Sequence, residues 1–341
     1  MRAISYSRSG PSSVLQLTDR EPGTPGPDEV RVRIAVSGVN PTDWKARAGN
    51  RPIELDEIVP NQDGAGVVDA VGSEVEDLQI GDRLWLFLAA HQRPTGTAQE
   101  LTVVPASRVV RLPDGIGFDV AASLGVPAMT AHRALTVHER GPSRLAPATL
   151  EGRVVLVQGG AGAVGHAAIQ LAVWAGATVI ATVSSDEKAA LARAAGAHHV
   201  LQYPADDLAA DVLAIAPGGV DHVVEVAPAQ NAALDVAVLA NHGSIAYYAN
   251  NNGDEFTAPI MASFAKNARW QGLLLYTVGP EALAVAAEDI TAALEAGALP
   301  VGADAGLPLT WFPLEDTAAA HDAVEQGVTG KVLIRVADDL R

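Results

Sequence analysis

The residues that most restrict the fold lie mid-chain. Val154-Val155-Leu156-Val157 is a β-rich apolar run that meets Gly159-Gly160-Ala161-Gly162-Ala163-Val164-Gly165. His166 to Ala172 then continue in a helical pattern, with Val164, Ala168 and Leu171 on one face. Gly160, Gly162 and Gly165 fit the spacing G-x-G-x-x-G, and a strand before and a helix after supply the context that motif requires. Glycines let the backbone turn tightly and approach an anionic group, while a helix N-terminus offers unpaired N–H groups and a positive dipole end. The alternative is a glycine-rich turn that binds nothing. The strand, the helix and the next strand, Thr178 to Val183, together favour a dinucleotide pyrophosphate.

From this turn onward strand and helix alternate. Strands are expected at 154–158, 178–183, 198–201, 221–226, 243–248 and 270–276, with helices at about 163–175, 186–195, 205–215 and 230–240. Strands buried on both faces and separated by helices make a parallel sheet wound on both sides. Ahead of residue 125 the texture is different: short apolar or alternating runs at 30–36, 66–71, 83–88 and 100–104, punctuated by turn signals. That spacing suggests a small, barrel-like β domain. A helix at 280–296 is followed by a strand at 308–313, a helix at 314–326 and a strand at 331–336. The expected fold is therefore α/β: a β-barrel domain over 1–125, completed by the tail 300–341, and a doubly wound parallel-sheet domain over 126–299.

Composition narrows the chemistry. There is no cysteine in 341 residues, which excludes disulfides, thiolate nucleophiles and zinc sites that need cysteine. The nine histidines show no H-E-x-x-H spacing, so no metal is assigned. A net charge of −17 speaks against nucleic acid as a partner, and any anionic cofactor must be met by local basic groups and helix dipoles. No apolar run is long enough for a membrane span. Met1 to Ser7 reads as the start of a strand without a signal peptide's apolar stretch, so a soluble, cytoplasmic protein is expected.

Several segments carry a resemblance. Ser37-Gly38-Val39-Asn40-Pro41-Thr42-Asp43-Trp44-Lys45, Pro60-Asn61-Gln62-Asp63-Gly64-Ala65-Gly66-Val67-Val68, Gly81-Asp82-Arg83-Leu84-Trp85, Gly125 to Ala131 and Gly330-Lys331-Val332-Leu333-Ile334 resemble blocks of the medium-chain dehydrogenase/reductase superfamily. The likeness is to its zinc-free quinone oxidoreductase branch, the zeta-crystallin-like proteins. It implies a GroES-like first domain, a Rossmann second domain, a nicotinamide cleft between them, and a homodimer formed through a strand near the end of the Rossmann sheet, here Trp270 to Tyr276. Zinc members carry a cysteine and a His-Glu pair where this chain has Asn40 and Gln62-Asp63. Without zinc there is no Lewis acid to activate an alcohol, which favours reduction of an already electrophilic acceptor.

The cofactor choice turns on the end of the second Rossmann strand. A carboxylate there marks NAD, and by the resemblance Val183 stands in its place. Ser184, Ser185 and Lys188 then offer a pocket for a 2′-phosphate, so NADPH is the expected cofactor; the competing reading makes a serine an N-cap and Lys188 a solvated helix residue. Gly162, Ala163, Val164 and Gly165 are expected to supply the pyrophosphate turn. The resemblance further places Tyr203 by the adenosine phosphate, Asn40 and Thr130 near the nicotinamide, and Tyr248, Ala249 and Asn250 beside it; plain turn or packing roles stay open for each.

Hydride transfer needs alignment and exclusion of water more than a catalytic triad. Asn40 and Thr130 are the first positioning candidates, followed by Asp43, with Trp44 and Lys45 weaker; Asp63 fits a buried structural carboxylate. Many relatives have a tyrosine after the R-x-G stretch where this chain has Asn50-Arg51, and an arginine there suits a carboxylated acceptor or simply points into solvent. Three functions remain open. They are an NADPH-dependent quinone reductase, a reductase of activated C=C bonds with Tyr247, Tyr248 or Tyr276 as proton donor, and a non-catalytic NADPH-binding protein.

Overall fold

The computed structural model describes residues 1–50, 55–203, 207–337 and 339–340. The chain divides into two compact units, Met1–Val126 with Pro308–Arg341, and Pro127–Leu307.

The first unit opens with β1 (Arg2–Ser5) and β2 (Gln16–Asp19), an antiparallel pair. β3 (Glu29–Val39) follows, and its alternating Val30, Val32 and Ile34 are fully buried, as expected of a strand with one face on a core. A short α1 (Pro41–Lys45) starts at Asn40, with Pro41 in the first helical position, where a missing N–H costs nothing. β4 (Asp63–Val71), β5 (Arg83–Leu86), β6 (Leu101–Pro105), β7 (Val109–Arg111) and α2 (Phe118–Ala122) complete the stretch. The strand expected to reach Leu88 stops at Leu86; Leu88 has φ 52, a left-handed conformation that cannot continue a ladder.

The second unit takes in α3 (Gly125–Thr136) from Pro127 onward and then alternates β8 (Val154–Gln158), α4 (Ala163–Trp174), β9 (Thr178–Val183), α5 (Asp186–Ala194), β10 (His199–Gln202), α6 (Leu208–Ile215), β11 (Val220–Glu225), α7 (Pro228–Val238), β12 (Leu239–Tyr247), α8 (Ile260–Ala265), β13 (Arg269–Gly272) and α9 (Pro280–Glu295). Its sheet order is β10-β9-β8-β11-β12-β13, all pairs parallel, so the chain reverses its direction of travel beside β8. This is the doubly wound architecture whose ligands bind outside the carboxyl ends of the strands. Its core is aliphatic, with Leu156, Ile180, Val212, Val223, Val236 and Ile245 in one buried cluster. The strand expected over 270–276 ends at Gly272, and Leu275–Thr277 is a 3-10 turn instead.

Residues 300–307 were expected with the tail but belong to the second unit. The Pro300 carbonyl accepts Gln170 Nε2–H at 2.9 Å, and His166 Nε2 lies 2.8 Å from the Ala305 carbonyl. β14 (Leu309–Pro313), α10 (Thr317–Glu325) and β15 (Lys331–Arg335) return to the first unit, where the sheet runs β14-β15-β3-β4-β5-β7 with β6 also on β3.

The β8–α4 turn shows why its glycines are placed as they are. A Cβ on Gly165 would stand 2.4 Å from the Gly159 carbonyl oxygen, so α4 packs against the strand end with no room for a side chain. Gly159 itself has φ 70. A Cβ on Gly162, by contrast, would meet nothing closer than 3.5 Å. Gly165→Ala should therefore lower the thermal midpoint by the equivalent of about 1–3 kcal/mol, the usual cost of overpacking against fixed backbone. Gly162→Ala should leave it within a degree or two, about the reach of a surface change; equal losses in calorimetry would contradict the packing described.

Three histidines are buried without a counter-charge strong enough to keep them protonated. Desolvation lowers His166 from 6.5 to about 4, and His222 and His321 to about 3. Each folded-state value lies below the unfolded one, so each neutral imidazole contributes stability fully above pH 6.5 and loses it as pH falls toward 4 and 3. Carbon and nitrogen chemical shifts of these rings should show no protonation between about pH 7 and 5, where an unperturbed histidine titrates.

Candidate active site

Three strand ends and one helix end meet in the second unit. β8 delivers Gly159–Gly165; Gly162 is exposed and caps α4, with no side chain to occupy the first N–H groups, which have no intrahelical partners. Ala163 and Val164 are half-buried and Gly165 is buried. The Gly160 N–H donates to the Thr182 carbonyl at 3.0 Å, which fixes the turn to β9.

β9 ends at the buried Val183, with no carboxylate. Ser185 caps α5, its Oγ accepting the Lys188 N–H at 3.3 Å, so the N-cap role is real. The Lys188 side chain does not run off into solvent: Nζ donates to Ser184 Oγ at 3.1 Å. An ammonium and two hydroxyls thus share one place at the strand end. Asp186 lies in the first turn of α5 and accepts Gln202 Nε2–H at 2.7 Å. Tyr203 is 51% exposed, and its N–H donates to the Val183 carbonyl at 3.1 Å, which brings it beside the same end of β9.

After β12, Tyr248 and Ala249 are half-buried and Asn250 is exposed, donating Nδ2–H to Asp254. The Tyr248 N–H donates to the Glu225 carbonyl at 3.1 Å, so this segment lies at the end of β11. Burial and the nearby Glu225 raise the Tyr248 phenol above its ordinary value, so it keeps its proton through the neutral range. Tyr247 belongs to an aromatic stack, 5.4 Å from Phe256, which lies 5.0 Å from Trp270. Tyr276 falls in the 3-10 turn, and Thr130 is buried on α3.

In the first unit Asn40 and Asp43 come together with two residues that sequence reasoning did not nominate as a site. Asn40 Nδ2–H donates to Asp63 Oδ2 at 2.6 Å, and Lys331 Nζ donates to Asn40 Oδ1 at 2.7 Å while standing 3.5 Å from Asp63 Oδ2. Asp63 Oδ1 accepts the Val126 N–H at 2.9 Å. Asp43 caps the start of α1, accepting the Asn40 N–H at 2.7 Å and the Gln62 N–H at 3.1 Å. All four side chains are buried. Desolvation, with the Asp63 charge second, pushes Asp43 up to about 7; desolvation also raises Asp63 and lowers Lys331. Trp44 is half-buried with the Lys45 ammonium 6.0 Å from its ring centroid. Arg51 lies outside the described residues.

A second buried carboxyl group of residues was also missed. Glu225, at the end of β11, and Asp235, on α7, are both fully buried, with Gln158 and Thr182 beside them. The available signal was a charged residue inside an apolar run: Glu225 in Val223-Val224-Glu225-Val226, and Lys331 ahead of Val332-Leu333-Ile334.

Residues 26–114 match the family model described as the alcohol dehydrogenase GroES-like domain, and 163–292 match zinc-binding dehydrogenase. A quinone oxidoreductase of Pseudomonas aeruginosa is 37% identical over 219 residues, covering 64% of this chain and 63% of the relative. A 2-haloacrylate reductase of a Burkholderia species is 33% identical over 260 residues and 74% of each chain. Among solved structures, a mycobacterial protein complexed with NADPH superposes with a TM-score of 0.82 at 30% identity, covering 98% of this chain and all of that one. With a GroES-like domain, a Rossmann domain and these relatives, the chain belongs to the medium-chain dehydrogenase/reductase superfamily, among its quinone oxidoreductases.

Proposed function

We propose that this protein is a metal-free, cytoplasmic, NADPH-dependent reductase of small electrophilic acceptors, with quinones as the leading class. The observation that carries the cofactor choice is the end of β9: Val183 where an NAD site needs a carboxylate, and Lys188 Nζ held 3.1 Å from Ser184 Oγ. The open position at Gly162 and the uncapped start of α4 suit a pyrophosphate. Bound there, NADPH supplies the hydride. Gly162 to Gly165 hold the pyrophosphate, Ser184, Ser185 and Lys188 the 2′-phosphate with Tyr203 beside it, and Tyr248, Ala249 and Asn250 flank the nicotinamide end. Asn40 and Thr130 position the reacting groups, with Asp43 supporting Asn40 through its backbone N–H.

Zinc does not fit the residues at Asn40 and Asp63. The Asn40 oxygen already accepts from the Lys331 ammonium, which stands where a cation would have to go, and no thiolate or imidazole is present in that group. Among the described residues no cluster of three or more histidine and acidic side chains has metal-site geometry. Reduction must then rest on an acceptor that is electrophilic by itself.

A second reading, reduction of an activated C=C bond, is favoured by the relative named a 2-haloacrylate reductase, whose named substrate carries a carboxylate that Arg51 would suit. Protonation of the α-carbon then needs a donor, and Tyr248 holds its proton across the neutral range. NADPH oxidation with a panel of quinones, enones and 2-haloacrylates separates the readings. Quinone turnover supports the first, turnover confined to alkenes replaces it with the second, and NADPH binding with no turnover across the panel leaves a cofactor-binding protein.

Lys188→Ala should weaken NADPH by about 1–3 kcal/mol, the range of a charge-assisted bond, and leave NADH nearly unchanged. Equal losses in titration calorimetry would remove the 2′-phosphate assignment.

The expected homodimer is supported by the edge position of β13 and by Ile260, Met261 and Phe264 on α8, which are 76%, 70% and 59% exposed. Apolar exposure beside a free sheet edge is what a partner copy would cover. Met261→Glu with Phe264→Asp should convert the dimer to a monomer in light scattering.

A further inference from the structure

Beneath the glycine turn, the ends of three strands are tied by side chains that nothing above has given a role. Thr182 Oγ1 donates to Gln158 Oε1, and Gln158 Nε2–H donates to Asp235 Oδ1 at 3.0 Å. Glu225 Oε1 accepts the Ala227 N–H, and both Glu225 oxygens take Asn231 Nδ2–H at 3.2 Å. Glu225 thus collects donors, as an ionised carboxylate does. Asp235 Oδ2 has none: it is buried and, among the described residues, without any partner that could donate to it. Its neighbour is Glu225 itself, close enough for each charge to act on the other, and two carboxylates cannot both be ionised there in the absence of a cation. Glu225 has its donors and Asp235 Oδ2 has none, so Asp235 Oδ2 is the atom on which a single shared proton belongs.

Among the described residues the surroundings offer no other compensation. From β8 and β9 the facing groups are Gln158 and Thr182, and beyond β12 the phenol of Tyr248. On α8's flank, the Lys266 ammonium is held by the carbonyls of Val236, Ala237 and Leu239. Asp211 on α6 is exposed, and at the other end of β11 Asp221 pairs with Arg153 at 2.8 Å while His222 packs against His138. Burial raises both Glu225 and Asp235.

We propose that Asp235 is a positioning residue whose proton locks the ends of β8, β9 and β11 together, so that tight binding of the anionic dinucleotide requires that proton. The strands it joins are those that deliver Gly159–Gly165, Ser184-Ser185-Lys188 and, through the Glu225 carbonyl, Tyr248. Loss of the proton would place a second buried negative charge under a site for phosphates and remove the bond to Glu225. The inference rests on reading that turn as the cofactor's phosphate site.

The test is the dissociation constant of NADPH, read from cofactor fluorescence in the absence of any acceptor, between about pH 7 and 10. For the wild type the constant should rise at least about tenfold on the alkaline side, because one proton is linked to binding. Asp235→Asn keeps a neutral donor toward Glu225 and has no proton to lose, so its profile should be flatter than the wild type's. Asp235→Leu should bind weakly at every pH. Superimposable wild-type and Asp235→Asn profiles, flat or sloping, overturn the proposal. Lys188→Ala, run alongside, reports separately on the phosphate site: unchanged NADPH affinity there would fault that reading, whatever the Asp235 variants do.

Discussion

Gly165 has to touch the carbonyl of Gly159, and much of the second unit follows from that contact. A Cβ there would lie 2.4 Å from the oxygen, so α4 approaches β8 more closely than a side chain permits. The helix is thereby brought end-on to the strand tips, and its free N–H groups become a positive feature that requires no side chain in a strongly acidic chain. Everything proposed for the cofactor is arranged around that end. Ser184 and Lys188 stand at the tip of the neighbouring strand, Tyr203 beside them, and Tyr248 at the tip on the other side.

The two units bury acidic groups by different means. Removing a lone carboxylate from water is costly unless it is paired and hydrogen-bonded. In the first unit Asp63 has an ammonium, an amide and a backbone N–H. In the second, no cation among the described residues faces Glu225 and Asp235, and in the arrangement proposed above a proton takes its place. The first arrangement holds Asn40 with both ends of its amide already engaged. This explains how an asparagine can stand where zinc relatives carry a ligand without becoming one itself.

The sequence made the regular parts legible and concealed the crossings. The alternation from β8 to α9 and the glycine turn are local patterns, and local patterns can be read. Lys331 and Asn40 are 291 positions apart, and nothing local announces that they share a hydrogen bond. Arg47 sat inside a recognisable stretch, yet its complete burial depends on Gly10 and on Glu325. The strand expected to run to Tyr276 ends at Gly272, where a Cβ would stand 3.0 Å from the Tyr247 hydroxyl oxygen; the apolar run beyond it reads as strand because helix, turn and strand share such residues. For the Rossmann side the candidate residues were readable because they sit at strand ends. Asp235 was not, since an aspartate on the inner face of a helix looks the same as one on the outer.

Lys331 stands on β15, the last strand of the chain, while the carboxylate it neutralises is on β4. During synthesis, the barrel strands therefore leave the ribosome with Asp63 lacking its ammonium partner until the whole Rossmann unit has been made. The order of the chain thus leaves the charge balance of the first unit's interior incomplete until the second has been made. Any recombination between relatives that moves the barrel without its C-terminal strand would transplant an unneutralised interior, so the true exchangeable module is discontinuous.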